Sequence, residues 1–399
     1  MSELAALQAE FLDMLGAGFR GFGLPAGLPA TLAEAVAATP RHRFVHRFRI
    51  DDGPLSDSDA DPDANLQLIY SDAVMRHVDA AGTKLPSSNS QPSYILYLMH
   101  LLALEPGQAV LEIGSGSGWL AAVMARLVGP AGRVVGIELI AELAAQSRTD
   151  LAALGIDTVE IVTGDGDLGH AASAPFDRAM VTAATWALPL ALFEQVAEGG
   201  LVLAPIELRS ADGCVVTLLR RRGDVFVAEL AVPGWFVPLL GAGQVRTRPM
   251  IDEPPGVVVA RVALPLGMSA ARAASPVAAH FSAFLGRTEP GYVIGRSPVA
   301  DTQPSAPPPP FGLQLGGSTA LWSGGDIVAY GDLAAARALA RAYLRWTSLG
   351  LPGIGAFQLE VHRADAAPPG SDRVWIEKRP PIALVWRLPP EIDGWRSLT

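Results

Sequence analysis

Residues 110–118 of the chain read Val-Leu-Glu-Ile-Gly-Ser-Gly-Ser-Gly, the pattern of a buried strand followed by a glycine-rich turn. Glycines at alternate positions allow the backbone to turn sharply and to approach a ligand closely. Residues 119–127 are rich in Ala and Leu and predict a helix. A strand, a tight glycine turn and a helix in this order are typical of the opening of a nucleotide-binding α/β unit.

Two later segments fit a nucleotide site at the edge of the same sheet. Residues 133–138 predict the next strand, which ends in Glu138, 20 positions after Gly118. A carboxylate at that place can accept hydrogen bonds from both ribose hydroxyls of a nucleotide. Gly164-Asp165-Gly166 follows a third short strand at residues 159–163. In an open parallel sheet all three segments lie at the carboxyl ends of strands, where ligands bind.

The glycine spacing differs from the dinucleotide pattern, which has two residues before its last glycine. With an acidic residue, Glu112, close before the first glycine, the turn instead resembles the first motif of S-adenosylmethionine (SAM) methyltransferases. The resemblance implies SAM as the cofactor and S-adenosylhomocysteine as its product. A glycine turn that binds nothing is the structural alternative, and the ordered set of three segments makes it less favoured.

Composition places the chain among globular proteins and excludes several functions. Its length of 399 residues leaves room for two domains. Half of the residues are apolar and only 18% are charged, which indicates a globular chain. A net charge of −10 argues against nucleic acid as a partner. The single Cys214 excludes a disulfide framework and a cysteine-ligated zinc site, and no metal is expected. Without an apolar stretch of membrane length or a targeting pattern, we expect a cytoplasmic protein that does not bind membranes.

A polar segment precedes the predicted helix at residues 93–104. Residues 84–92 read Lys-Leu-Pro-Ser-Ser-Asn-Ser-Gln-Pro and predict a polar turn, with Ser90 or Gln91 at the start of the helix. Free N–H groups at such a start attract anions. The structural alternative is that these serines only cap the helix.

Together these segments resemble the protein-L-isoaspartate O-methyltransferase family over roughly residues 30–240. The motifs that carry the resemblance, in the family's order, are Pro40–Val45, Tyr70 with Asp72, Ser90-Gln91-Pro92, Glu112–Gly118, Gly164-Asp165-Gly166, Ala174–Asp177, Glu198–Pro205 and Trp235–Leu239. The resemblance implies a doubly wound, Rossmann-like α/β domain that binds SAM and methylates carboxylates of peptides or proteins.

Three departures from the family's pattern lie where the family meets its substrate. The usual Thr-Ile-Ser before the Pro motif is here Ser88-Asn89-Ser90, and the His-Gly-Gln that usually precedes it is Leu85-Pro86-Ser87. The usual Thr after Val-Pro-Leu is Leu240. These changes leave the SAM motifs intact and put the usual substrate in doubt.

The resemblance also implies roles for single residues. Ser90 is the predicted catalytic residue, which lies near the transferring methyl group and orients the substrate carboxylate by a hydrogen bond. The predicted cofactor-binding residues are Ser88, Asn89, Ser90, Glu112, Gly114, Ser115, Gly116, Gly118, Glu138, Leu139, Asp165 and Gly166. Among them, Glu138 would bind the ribose and Asp165 with Gly166 the adenine edge.

The catalytic unit is expected to occupy residues 1–245, and residues 246–399 to form a smaller α+β domain for substrate recognition. We predict strands at residues 257–266, 358–362, 373–377 and 382–388, a helix at 270–285 interrupted at Pro276, a proline-rich connection at 304–310, and a helix from Asp332 to Trp346. The last helix aligns Arg337, Arg341 and Arg345 on one face, either as a solvated face or as a docking stripe for an acidic peptide.

An extra C-terminal domain resembles a bacterial branch of the family that accompanies ribosomally made, modified peptides. Trp346-x-x-x-Gly350 is a feature of that branch, although a helix end with a core tryptophan is an equal alternative. The branch methylates an ordinary aspartate, and the ester closes to an aspartimide that may hydrolyse to isoaspartate. The alternatives are an isoaspartate repair methyltransferase and a non-catalytic SAM-binding protein that docks peptides. The oligomeric state stays open.

Overall fold

The computed structural model describes residues 3–61, 63–210, 213–241, 250–252, 254, 256–263, 276–295, 309–323 and 326–390. The described helices are α1 (Glu3–Gly21), α2 (Ala30–Ala37), α3 (Leu66–Ile69), α4 (Pro92–Leu101), α5 (Trp119–Val128), α6 (Ala141–Ala153), α7 (Ala191–Gln195), α8 (Pro276–Thr288) and α9 (Ala334–Ser348).

The strands of the first 241 residues are β1 (Arg47–Arg49), β2 (Ser56–Asp57), β3 (Met75–Val78), β4 (Lys84–Asn89), β5 (Ala109–Ile113), β6 (Arg133–Glu138), β7 (Val159–Thr163), β8 (Phe176–Val181), β9 (Val196–Glu207), β10 (Cys214–Arg222) and β11 (Val225–Pro233). Those that follow are β12 (Met250–Ile251), β13 (Val258–Ala263), β14 (Tyr292–Gly295), β15 (Phe311–Leu315), β16 (Ser318–Ser323), β17 (Asp326–Tyr330), β18 (Gln358–Arg363), β19 (Val374–Arg379) and β20 (Ile382–Arg387).

The central sheet has ten strands in the order β19-β20-β18-β11-β10-β9-β8-β5-β6-β7. Strands β5 to β9 are parallel, and β5 pairs with β6 on one side and with β8 on the other. The chain therefore reverses its direction of progress across the sheet at β5. In open α/β sheets ligands bind beside such a switch point, at the carboxyl ends of the strands. The predicted doubly wound α/β fold is confirmed.

Both faces of this sheet are buried, which explains the unbroken apolar sequence of its central strands. Successive residues of β5 belong to different cores. Val110 lies in the cluster that includes residues of α4 and α5, and Leu111 lies in the cluster that includes residues of α7, α8 and α9. Because side chains alternate across a strand, one apolar run supplies both cores. The strand preceding the glycine turn is thus fixed from both sides.

A second sheet, of order β2-β1-β3-β4, carries the segment that was expected to be a polar turn. That prediction is wrong for residues 84–89, which form β4 and pair with β3. The segment lacks the apolar alternation that usually indicates a strand, because its side chains line clefts instead of a core. The following helix begins at Pro92 as expected and ends at Leu101, before the predicted residue 104.

The C-terminal region contributes to two sheets. Strands β12 to β17 form a six-stranded sheet of order β12-β14-β15-β16-β17-β13. The strands predicted at 358–362, 373–377 and 382–388 are confirmed as β18, β19 and β20. They extend the central sheet through antiparallel pairs of β18 with β11, of β20 with β18 and of β19 with β20. The division at residue 245 stays a prediction. Residues 270–275 and 304–308 of the predicted helix and proline-rich connection lie outside the described residues.

The helix α9 buries one face and exposes the other. Trp346 is fully buried and its indole N–H donates to the Pro352 carbonyl at 3.0 Å, so here it is a core residue. Gly350 follows the helix with φ +84°, the conformation that favours glycine after a helix end. Arg337 and Arg341 are exposed, whereas Arg345 donates to the Asp372 carbonyl and lies over the ring of Trp375. The docking role of this arginine stripe stays a prediction.

His46, which precedes β1, links the loop between β2 and α3 to helix α6. Its Nδ1 lies 2.7 Å from Asp59 Oδ1 in that loop, and its Nε2 lies 2.9 Å from Asp150 Oδ2 on α6. The hydrogen bond with Asp150 raises the pKa of His46 from 6.5 to about 9, with a further contribution from Asp59. Helix α6 also supports the glycine turn, since the Ser147 hydroxyl donates to the Gly116 carbonyl at 2.8 Å.

We therefore expect stability to depend on pH through His46. Because the folded-state pKa lies above the unfolded value, the stabilisation is complete below pH 6.5 and is lost as pH rises through about 9. Its size should be about 2 kcal/mol, less than the pKa difference alone would give, since the group is partly solvated. Urea unfolding of the wild type and His46→Gln between pH 6 and pH 9.5 measures it. A constant difference between the two proteins over that range would contradict the assignment.

None of the described helices is both long enough and apolar enough to cross a membrane.

Candidate active site

The glycine turn after β5 adopts a backbone that favours glycine at three positions. Gly114, Gly116 and Gly118 have φ values of +91°, +54° and +79°. A Cβ at Gly114 would also lie 2.7 Å from the hydroxyl of Thr182, which donates to the Gly114 carbonyl at 2.5 Å. The N–H groups of Gly114 and Ser115 both donate to the carbonyl of Ile137 in β6. The turn is thus clamped between the ends of two neighbouring strands.

Glu138, at the end of β6, holds the same turn from the other side. Its Oε2 accepts the N–H of Gly116 and its Oε1 accepts the N–H of Ile140, each at 2.8 Å. The residue is only 5% exposed, and burial raises its pKa while these backbone N–H groups oppose the rise. Each carboxylate oxygen has more than one acceptor site, so Glu138 keeps capacity for a ligand's hydroxyl groups.

Glu112 is a second buried carboxyl beside this turn. It is 1% exposed, and its Oε2 has no hydrogen-bond partner among the described residues. Burial, together with the nearby charge of Glu138, raises the pKa of Glu112 to about 8. A buried polar atom without a partner costs free energy. The site therefore favours a ligand that brings a hydrogen-bond donor or a positive charge.

A cleft of about 870 Å³, a volume that includes its open mouth, runs along these strand ends. Of the predicted cofactor-binding residues, those that line it are Ser88, Asn89, Ser90, Glu112, Gly114, Ser115, Gly116, Glu138, Leu139 and Gly166. Buried atoms without partners there include Glu112 Oε2, Ser115 Oγ and Asn89 Nδ2. These donors and acceptors fit SAM, which carries a sulfonium, an ammonium group and several hydrogen-bonding atoms. The roles of the single residues stay predictions.

Two predicted residues, Gly118 and Asp165, do not line the cleft. Gly118 precedes α5, and a Cβ there would lie 3.0 Å from the Cβ of Ser147, so it allows α6 to pack closely. The Asp165 carboxylate accepts the N–H of Asp167 at 3.0 Å and faces Gly241, whose Cβ, if present, would lie 2.5 Å from Asp165 Oδ1. Gly166 lines the cleft, and the predicted contact of Asp165 and Gly166 with the adenine stays a prediction.

A second groove opens next to the cleft and shares Ser88, Ser90, Val237 and Pro238 with it. The remaining residues that line this groove are Asp51, Val74, Arg76, Gln91, Tyr94, Pro233, Gly234, Trp235 and Phe236. Trp235 is 79% exposed. Backbone hydrogen bonds of Ala184 with Val237 and Leu239, at 2.7 and 2.8 Å, hold the shared wall against the end of β8.

The helix that follows Ser90 is capped by another residue. Asp72 accepts the N–H of Ser93 at 2.8 Å, the Ser93 hydroxyl at 2.7 Å and the Gln91 amide at 2.8 Å. An acid at a helix start satisfies free N–H groups and interacts well with the helix dipole. Ser90 is therefore not required as the cap, although its predicted role in catalysis is untested.

Sequence reasoning missed several residues of the site. Thr182 holds the glycine turn through the Gly114 carbonyl. Ser117 joins the turn to the end of β4, since its hydroxyl donates to Asn89 Oδ1 at 2.6 Å. His77 lies beside Gly116, its Nδ1 is 2.9 Å from Ser87 Oγ, and burial lowers its pKa to about 4, which makes it neutral at pH 7. No local signal marked His77, because pairing of β3 with β4 brings it to the site.

The glycine turn, the acidic strand end and the cleft at the switch point define a SAM-dependent methyltransferase. The family model of protein-L-isoaspartate(D-aspartate) O-methyltransferase matches residues 29–244, and the chain belongs to this family. A protein-L-isoaspartate O-methyltransferase of Methanoregula boonei is 38% identical over 58% of this chain and 90% of its own. One of Ignicoccus hospitalis is 38% identical over 42% of this chain and 80% of its own.

A solved structure of a protein-L-isoaspartate O-methyltransferase shares the fold, with a TM-score of 0.52 and 22% sequence identity. The match covers 88% of this chain and 96% of the solved chain. Residues 1–245 could not supply that share, so the likeness in fold extends into the C-terminal region.

We expect SAM binding to release a proton from the cleft. At pH 7 the Glu112 carboxyl is mostly protonated, and a cationic ligand beside it should lower its pKa and ionise it. Calorimetric titration with SAM at pH 7 in buffers of different ionisation enthalpy should show release of about one proton. Glu112→Gln should lose most of it. Equal binding enthalpies in all buffers for the wild type would contradict the prediction.

Proposed function

We propose that the chain transfers the methyl group of SAM to the free carboxylate of an aspartyl or isoaspartyl residue in a peptide. The observation that carries the proposal is the shared wall of two clefts. Ser88 and Ser90 face both the cleft that carries the cofactor motifs and the groove that opens past Trp235. A carboxylate entering by the groove would meet the cofactor cleft at these hydroxyl groups.

The chemistry requires positioning more than acid–base catalysis. When bound, SAM supplies an electrophilic sulfonium methyl group for in-line displacement. A side-chain carboxylate is already ionised at pH 7, so the protein needs no general base. His77, the imidazole nearest the glycine turn in the described contacts, is neutral and buried. Holding the reactants in line can contribute roughly 7–11 kcal/mol. Ser90 and Ser88 would orient the carboxylate by hydrogen bonds.

For the substrate, we propose an ordinary aspartate in a ring-constrained, ribosomally made precursor peptide. The methyl ester is a good acyl donor. The following backbone nitrogen attacks its carbonyl carbon, the bond to the methoxy oxygen breaks, and methanol leaves with the amide proton. The product is an aspartimide, which water can open to aspartate or isoaspartate. Support comes from the altered wall at Ser88-Asn89-Ser90 and Leu240, and from the additional region after residue 245.

Repair of isoaspartate in damaged proteins is the second candidate. The fold of a solved protein-L-isoaspartate O-methyltransferase matches 88% of this chain, so that protein has a counterpart to part of the C-terminal region. This favours repair, because a C-terminal extension does not by itself indicate a modified-peptide substrate. In either case we propose that residues 246–399 contact the peptide. Arg337 and Arg341 are the exposed members of the arginine stripe.

The experiment compares an unstructured isoaspartyl hexapeptide with a constrained aspartyl peptide, each incubated with the full-length protein and SAM. Mass spectrometry detects the methyl ester as a mass gain and the aspartimide as a loss of water relative to the starting peptide. Preference for the constrained aspartyl peptide supports tailoring, and preference for the hexapeptide supports repair. SAM binding without methylation of either peptide would favour the non-catalytic docking protein and overturn the proposed activity.

Replacement of Ser90 tests the shared wall. We expect Ser90→Ala to slow methyl transfer at least about tenfold, since it removes a hydrogen bond to a charged group, while SAM affinity changes little. Single-turnover assays and calorimetry separate the two effects. Asp72 caps the helix, so the variant should remain folded. An unchanged single-turnover rate would show that Ser90 has no role in transfer.

A further inference from the structure

The side chain of Arg76 is a cation without a partner in the groove, near Ser88 and Ser90, where we propose that the methyl group is transferred. It lines the groove but not the cofactor cleft, and it is partly buried. Within the described part of the chain its guanidinium makes no hydrogen bond or ion pair. Acidic residues outnumber Lys and Arg by 40 to 30 in this chain, so internal counter-ions are plentiful. A guanidinium left unpaired in such a chain is a candidate for recognising a ligand.

Strand pairing fixes where Arg76 stands. On β3 it lies directly opposite Ser88 of β4 and directly opposite Arg49 of β1. Residues directly opposite in antiparallel strands project from the same face, so all three form one row across the sheet. The row ends at Ser88, which lines both the groove and the cofactor cleft. Arg76 is therefore the neighbour of Ser88 within the groove, outside the cofactor cleft.

The two arginines of this row differ in their partners. Arg49 donates to the carbonyls of Gly53 and Gly82 at 2.9 and 3.4 Å. Like charges directly opposite each other destabilise a sheet, so the position of Arg76 costs stability. Asp51 also lines the groove, but no ion pair joins it to Arg76. An anion in the groove would offset the repulsion and give Arg76 a partner.

We propose that Arg76 binds a second carboxylate of the peptide substrate, next to the carboxylate that is methylated. Arginine binds carboxylates through two parallel hydrogen bonds, which gives both affinity and register. The reacting carboxylate itself is a poor partner, because a guanidinium paired with it would withdraw the electron density needed for attack. The site thus selects acidic peptides with two neighbouring carboxylates. This inference rests on the proposed carboxyl methylation.

A matched peptide set tests the proposal. Each peptide carries the target as aspartate or isoaspartate, with Glu or Gln as its neighbour, and with a free or amidated C-terminus. The last pair distinguishes a side-chain carboxylate from a terminal one. We expect the wild type to prefer the dicarboxylate peptides about tenfold or more in kcat/KM, through KM and not kcat. The preference should weaken with salt.

Variants at the two arginines separate recognition from folding. Arg76→Gln should abolish the preference and Arg76→Lys should keep part of it, while SAM affinity is unchanged because Arg76 lies outside the cofactor cleft. Arg49→Gln is the matched control and should retain the preference. A wild type that methylates all peptides of the set equally well, whether the neighbour is Glu or Gln and the C-terminus free or amidated, overturns the inference and leaves the proposed function standing. An Arg76→Gln protein that keeps the wild-type preference does the same.

If no peptide is methylated, the proposed function fails. The role of Arg76 can then still be tested by measuring how tightly the protein binds the peptides. Calorimetric titration of the same peptides into the protein loaded with S-adenosylhomocysteine then replaces turnover. About tenfold tighter binding of the dicarboxylate peptides, lost in Arg76→Gln, supports the inference. Equal binding of all peptides, or a difference that persists in Arg76→Gln, overturns it.

Discussion

The cofactor edge of this protein depends on the buried carboxylate of Glu138. One oxygen accepts the N–H of Gly116 and the other accepts the N–H of Ile140, so a single side chain joins the turn after β5 to the start of α6. Its burial disfavours ionisation, and the neighbouring Glu112 carboxyl shares that environment. Two buried acids side by side are costly without a partner of opposite charge. The same electrostatic cost makes the cleft suited to a cationic cofactor, whose charge would stabilise both carboxylates.

The fold was largely readable from sequence because each decisive signal was local. An apolar run, glycines at 114, 116 and 118 and a following helix specify a strand, a turn and α5 without reference to the rest of the chain. Long-range pairing was not readable in this way. The polar segment at 84–89 has no apolar alternation, and it is a strand only because β3 lies beside it.

The same distinction explains what was found and missed in the site. Most of the predicted cofactor residues line the cleft because they follow strand ends, and strand ends converge in a parallel sheet. The motif also predicts Asp165 there. Asp165 does not line the cleft, and its carboxylate accepts the N–H of Asp167, a local hydrogen bond that aspartate often makes in turns, so its contact with the cofactor stays a prediction. His77 and Arg76 carry no local signal, because the pairing of β3 with β4 brings them beside the cleft and the groove.

The C-terminal region is more than an addition to a finished catalytic unit. Strand β18 pairs with β11, which would otherwise present an unpaired sheet edge to solvent. Arg379 of β19 is fully buried, donates to the carbonyls of Trp186 and Glu207, and lies 3.9 Å over the Trp186 ring. Removing this region would expose the edge and leave the Glu207 and Trp186 carbonyls without this donor. Loss of activity on truncation would therefore reflect instability as readily as lost recognition. Substitutions at exposed positions, where no core contact is lost, are what can separate a role in binding peptide from a role in holding the sheet.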